Sequence, residues 1–207
     1  GNPEHLVRKM TAKLAHRGPD AAGIWNDSVK GLAFGHQRLA IQDLSPAGKQ
    51  PMQSHSGRYV IVYNGEIYNA RKLRDELEKN SLVPHGWRGH SDTEVLLASV
   101  EAWGLKNAVS RFVGMFAFAL WDKEEGVLHL ARDRLGIKPL YYGKSGNTFL
   151  FASELKSLKE HPDFVGEIDR HALSLFFRHN YIPAPYAIYK NFRKIEPGTI
   201  LSLSAPD

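Results

Sequence analysis

The chain has 207 residues, 43% of them hydrophobic and 24% charged, with a formal net charge of +5 and no cysteine. This is enough for one large domain with a substantial core, and it excludes disulfides, thiolate metal sites and a thiol nucleophile within these residues. No apolar run approaches the ~18 residues of a membrane span, and no signal-peptide pattern opens the chain. Basic residues such as Arg71, Lys72 and Arg74 are interleaved with Asp75, Glu76 and Glu78, which reads as a solvated helix face and not a nucleic-acid surface. The ten histidines show no metal-binding spacing, so no metal is expected. Gly143-Lys144-Ser145 resembles the tail of a phosphate loop, but Lys138 stands where its first glycine should be.

In chain order, Leu6, Val7, Met10 and Leu14 make one helical face, ended by Gly18-Pro19. Residues 32–41 read as a strand, followed by a Pro-, Gly- and Ser-rich loop over 44–51. Val60-Ile61-Val62-Tyr63 is a buried strand. After it, Asn64-Gly65 reads as a turn that opens a helix near Asn69, with Leu73 and Leu77 inside. Ser91-Asp92-Thr93-Glu94 is a capping box for a helix reaching Gly104. A short helix over 108–112 and three strands (115–121, 127–131 and 148–152) come next. Asp169 caps a last helix through Phe177, and Pro197-Gly198 turns into a final strand over 199–203. Helices interspersed among many strands indicate an α+β fold. The uninterrupted apolar run 115–121 indicates a strand buried on both faces, in stacked sheets with helices outside.

The chemistry-bearing residues sit beside these strands and helix starts. Asn64 and Gly65 offer a side-chain amide and an unshielded backbone N–H, the donor pair a developing oxyanion needs. Arg38 offers a guanidinium suited to a carboxylate, and Glu66 and Asp92 offer carboxylates suited to an ammonium. Together they match a small zwitterion. His36 and Gln37 are expected to support Arg38, and Arg17, Asp20, Arg132 and Asp133 to fix loops as ion pairs, with Arg17 or Asp20 also able to shape the rim of the pocket.

Seven segments in order carry a resemblance: His16-Arg17-Gly18-Pro19-Asp20, His36-Gln37-Arg38-Leu39-Ala40-Ile41, Asn64-Gly65-Glu66-Ile67-Tyr68-Asn69, Gly89-His90-Ser91-Asp92-Thr93-Glu94, Gly114-Met115-Phe116-Ala117-Phe118-Ala119, residues 131–142 and Ala152-Ser153-Glu154-Leu155-Lys156. From about His5 to its end the chain resembles the glutaminase domain of glutamine-hydrolysing asparagine synthetases, a class II glutamine amidotransferase of the N-terminal-nucleophile type. The Asn64–Asn69 segment argues against the glucosamine-phosphate and purine amidotransferases. The resemblance implies a four-layer αββα sandwich that hydrolyses glutamine to glutamate and ammonia, which a second domain uses to amidate aspartate. By motif, Arg38 would bind the glutamine α-carboxylate and Ile41 would line the pocket through its backbone. Asn64 and Gly65 would form the oxyanion hole, and Glu66 and Asp92 would hold the α-ammonium. Glutamine and the chain's own synthetase domain are the partners implied, and a homodimer is compatible with it. No cofactor is implied for this domain; ATP and magnesium are implied for the synthetase domain, and a cytoplasmic location for the whole.

The family's nucleophile is a cysteine at the mature N-terminus, in a Cys-Gly-Ile strand, and this chain has neither that strand nor any cysteine. No Ser-Gly-Gly-x-Asp-Ser loop of a synthetase half is present either. The expectation is an N-terminally truncated amidotransferase domain over 1–207, inactive alone, lacking its first strand and its synthetase domain. The alternative is a non-catalytic scaffold or glutamine-binding domain of a degenerate relative. The persistence of Arg38, Asn64, Gly65, Glu66 and Asp92 favours the fragment.

Overall fold

The computed structural model describes residues 3–204. Helix α1 (Pro3–Ala12) and a 3₁₀ turn at Ala15–Arg17 lead into the hairpin β1 (Ala21–Asp27) and β2 (Leu32–Arg38). There follow β3 (Met52–Gln53), β4 (Tyr59–Ile67), α2 (Ala70–Lys79), α3 (Asp92–Trp103), α4 (Leu105–Arg111), β5 (Gly114–Asp122) and β6 (Val127–Arg132). The chain closes with β7 (Tyr141–Ser145), β8 (Thr148–Ala152), α5 (Leu155–Leu158), α6 (Arg170–His179), β9 (Phe192–Lys194) and β10 (Ile200–Ser204).

The strands form three antiparallel sheets: β1-β2, β10-β6-β5-β4-β3 and β8-β7-β9. The long apolar strand β5 is central, and its two faces go to two cores, as its composition required. Phe116, Phe118 and Leu120 pack with Leu77 of α2, Leu96 of α3 and Phe112 after α4. Ala117, Ala119 and Trp121 face the other way and pack with Phe34 of β2, Leu128 and Leu130 of β6, and Tyr142 and Phe151 of β7 and β8. A third core joins Met10 of α1 and Leu158 of α5 to Leu150 and Phe192. The observed class is α+β.

Local expectations were corrected in several places. The turn expected at Asn64-Gly65 is absent: β4 runs straight through to Ile67, because Asn64, Gly65 and Glu66 pair with Ala117, Phe116 and Met115 of β5. Gly65 is required there by close approach, since a Cβ would stand 2.3 Å from the Met115 carbonyl oxygen. Asn69 occupies the position before α2 but does not cap it. Its side chain instead spans to the end of α4, donating to Arg111 O (2.9 Å) and accepting from Val113 N (2.9 Å). Ser91 does cap α3, accepting from Glu94 N at 3.3 Å, and Asp169 caps α6 by accepting from His171 N and Ala172 N.

The expected ion pairs among Arg132, Asp133 and Asp20 are backbone clamps instead. Arg132 donates to the carbonyls of Gly136, Lys138 and Ile195, and Asp20 accepts from Ala40 N at 2.8 Å. Asp133, 1% exposed, accepts from the N–H groups of Phe116, Leu135, Ile137 and Lys138. These donors hold its carboxyl below the usual carboxylate range although burial pulls the other way. A depressed folded-state pKa stabilises the fold fully above the unfolded value, about 3.9, and that contribution is lost as pH falls through the folded value. Asp133→Ala leaves those buried donors without partners, so a loss of ~3–5 kcal/mol is expected, read as a lowered urea midpoint at pH 7. Asp133→Asn should flatten the acid limb of the stability curve below about pH 4; an unchanged limb contradicts this role.

Candidate functional site

Strand alternation builds the site. Val60, Val62, Asn64 and Glu66 share one face of β4, and Val60 and Val62 belong to the core between the sheets. Tyr63 and Ile67 face the helices. The backbone groups alternate as well. Phe116 N and O are engaged on the β6 side, by Asp133, so Gly65, its β4 partner, turns its own N–H away from β5. Tyr63 and Ile67 share that phase, and their N–H groups are taken by side chains. Tyr63 N donates to Gln50 Oε1 at 2.6 Å, and Ile67 N donates to Asp92 Oδ2 at 2.9 Å. The Gly65 N–H lies between them on the open edge of β4, with no side-chain partner among the described residues.

Asp92 is 6% exposed at the first turn of α3. Burial, aided by Glu66, raises its pKa, while the Tyr63 hydroxyl (2.7 Å) and the N–H groups of Ile67 and Thr93 favour its ionised form. Burial and Asp92 push the Tyr63 hydroxyl up, so it stays a neutral donor. Glu66 accepts from Gln42 Nε2 at 3.3 Å.

Arg38 closes β2, and its Nη2 donates to the carbonyls of Asp43 and Ser45 (3.0 Å). Its Nη1 and Nε form no hydrogen bond among the described residues. A Cβ at Gly48 would stand 2.4 Å from Arg38 Nη2, so a side chain there would displace the guanidinium. Asp43, which the sequence reading passed over, holds this loop, accepting from Ser45 N and His90 N (both 2.8 Å). The Ser45 hydroxyl, then the His90 N–H, hold its carboxyl below the usual range. Its signal was available: a lone acid immediately before the Pro- and Gly-rich loop over 44–51. Ile41 is 73% exposed at the rim. Neither the His36 nor the Gln37 side chain hydrogen-bonds to Arg38 among the described residues. His36 Nε2 meets Tyr63 O at 3.1 Å, and Gln37 Nε2 donates to Thr11 O at 3.2 Å. Arg17 does form an ion pair, with Glu154 at 2.8 Å.

A cavity of about 1210 Å³ brings Arg38, Ile41, Asn64, Gly65, Glu66 and Asp92 together. It continues from them as a slot between β2 and β8, floored by Ala117, Ala119 and Trp121 and roofed by Val7 and Met10. Each of those two strands has a neighbour on one side only. Their Arg38 and Ala152 ends point the same way, because Gly18 packs on Gln37 and Arg38 while adjacent Arg17 pairs with Glu154 just beyond β8. Four buried side-chain polar atoms lack a partner among the described residues, and three of them, His36 Nδ1, Asn64 Nδ2 and Trp121 Nε1, belong to residues lining this cavity.

A family model described as a glutamine amidotransferase domain matches residues 1–207. The chain belongs to this glutamine amidotransferase family. The domain is 42% identical over 204 residues to asparagine synthetase [glutamine-hydrolyzing] 3 of Bacillus subtilis, covering 97% of this chain and 32% of that protein. It is 38% identical over 208 residues to a putative asparagine synthetase 2 of Methanocaldococcus jannaschii, covering 92% of this chain and 39% of that protein. The amidotransferase domain thus spans about a third of the length of these curated relatives. Among solved structures, the allosteric regulatory enzyme of purine biosynthesis matches with a TM-score of 0.71 at 24% identity, over 97% of this chain and 44% of that one. The glutamine phosphoribosylpyrophosphate amidotransferase of B. subtilis matches with a TM-score of 0.64 at 24% identity, over 75% of this chain and 40% of that one. These two likenesses concern the fold.

Proposed function

We propose that this amidotransferase domain is the glutamine-binding part of a glutamine-hydrolysing asparagine synthetase, and that the slot between β2 and β8 is the place of a further strand that carries the nucleophilic cysteine. The observation that supports this best is the coincidence of two open strand edges with an unpartnered Asn64 amide and an outward Gly65 N–H at one end of the slot. A strand antiparallel to both β2 and β8 would begin at that end. About five residues, ~17 Å, match the length of β8. With that strand in place, β1-β2 and β8-β7-β9 become one sheet, and helices, two sheets and helices stack as a four-layer αββα sandwich.

In this reading Arg38 binds the substrate α-carboxylate through Nη1 and Nε, and Glu66 and Asp92 hold its ammonium. The thiolate attacks the carboxamide carbon, and the carbonyl oxygen takes negative charge between Asn64 Nδ2 and Gly65 N–H. The C–N bond breaks with a proton passing to nitrogen, ammonia leaves, and water cleaves the thioester to glutamate and free thiol. Ammonia then serves an ATP- and magnesium-dependent amidation of aspartate by the remainder of the parent chain. Without the strand the domain binds but does not hydrolyse.

Titration calorimetry of glutamine into the 207-residue chain tests the reading. Binding that Arg38→Ala removes supports it; a folded chain that gives no heat, with or without a supplied Cys-Gly-Ile strand, contradicts it.

A further inference from the structure

Tyr63 lies where β3 has already ended, so both its backbone groups on the open edge of β4 would face no strand. Two side chains replace the missing neighbour. Gln50 Oε1 takes the N–H, and His36 Nε2 meets the carbonyl oxygen at 3.1 Å. A carbonyl only accepts, so Nε2 carries the proton and Nδ1 is left as a bare lone pair. Nδ1 is buried and unpartnered, as is Nδ2 of Asn64, and both residues line the same cavity. The carbonyl His36 grips belongs to the Tyr63–Asn64 peptide. The side chain of that same Tyr63 donates to Asp92, so one residue, held from both sides, links the expected oxyanion donor to the expected ammonium site.

We propose that His36 is a positioning residue for amide hydrolysis: as the neutral Nε2–H tautomer it clamps the Tyr63–Asn64 peptide across the two sheets and so aims the Asn64 amide at the developing oxyanion. This rests on the glutaminase reading above. The surroundings keep the ring neutral: burial, and then the Arg38 guanidinium, lower its pKa to about 4 against the pull of the Tyr63 carbonyl. A cationic ring would also place an N–H with no acceptor at Nδ1. An oxyanion donor serves the transition state far more than the bound substrate, so loss of its aim should fall on kcat and spare KM.

The test compares three variants in the chain extended by its Cys-Gly-Ile strand. A glutamine side chain places its amide nitrogen about where His Nε2 stands, whereas asparagine reaches only as far as Nδ1. His36→Leu and His36→Asn are expected to lower glutaminase kcat by about tenfold or more with KM within about threefold, and His36→Gln to recover most of it. Unchanged kcat in His36→Leu, or a His36→Gln variant as slow as His36→Leu, overturns the proposal. A second measurement needs no turnover: ¹⁵N spectra of the 207-residue chain should show His36 as the neutral Nε2–H tautomer down to about pH 4. An Nδ1–H tautomer, or titration near the ordinary histidine value, overturns the clamp. A strand-extended wild type without glutaminase activity would overturn the glutaminase reading, and the ring spectra would still decide the clamp.

Discussion

Replacing Asn64 by Ala in the strand-extended chain is expected to lower kcat for glutamine hydrolysis by about 10²–10³ and leave KM within a few-fold. The amide nitrogen is buried and bonds to nothing among the described residues, and Asn64 lines the cavity. In the resting protein such a donor contributes no hydrogen bond, so its removal should not weaken the fold, and relief of an unsatisfied buried group would slightly stabilise it. Its value appears only when a carbonyl oxygen becomes an oxyanion between it and Gly65. Steady-state kinetics beside thermal melts of both proteins check this. Equal effects on kcat and KM, or a melting point lowered by several degrees, would place Asn64 in substrate binding or in the fold.

Arg38→Ala is expected to act on binding instead. A charge-assisted pair lost from a partly buried site is worth ~2–5 kcal/mol, a weakening of glutamine affinity by roughly 30-fold or more. Nη2 is already held by the Asp43 and Ser45 carbonyls, so the guanidinium is fixed before substrate arrives. Arg38→Lys should recover little, because an ammonium cannot keep both the loop contacts and a two-point grip on a carboxylate. Calorimetry on the three proteins checks it; near-normal affinity in Arg38→Lys would mean that only the charge matters there.

The parts of the fold legible in the sequence were those with strong periodicity or caps. The double-sided apolar run of β5, the Ser91 capping box and the Leu73–Leu77 face of α2 each announce one structure. What was missed had weak signals for physical reasons. Strand β1, Ala-Ala-Gly-Ile-Trp-Asn-Asp, has no apolar run, and Gly23 is small because the Gln50 carbonyl lies where a Cβ would be. Strand β7 contains Gly143-Lys144-Ser145, to which the sequence assigned no element beyond a failed likeness to a phosphate loop; its glycine accommodates Asn191 and Phe192 of the neighbouring segment. Asn64-Gly65 carried the local signature of a turn, and nine residues of pairing with β5 overrode it. The candidate site residues were legible as residue types; their joining through Tyr63, Gln50 and His36 was not, because it depends on which N–H groups face the open edge of a strand.

The most direct measurement is ammonia and glutamate release from glutamine by the 207-residue chain preceded by a Cys-Gly-Ile strand, with a version whose leading cysteine is replaced by alanine as control. Stoichiometric production of both products by the cysteine form, and none by the alanine form, is the result predicted. A folded cysteine form that binds glutamine and releases neither product would contradict the account and leave the domain a binding scaffold.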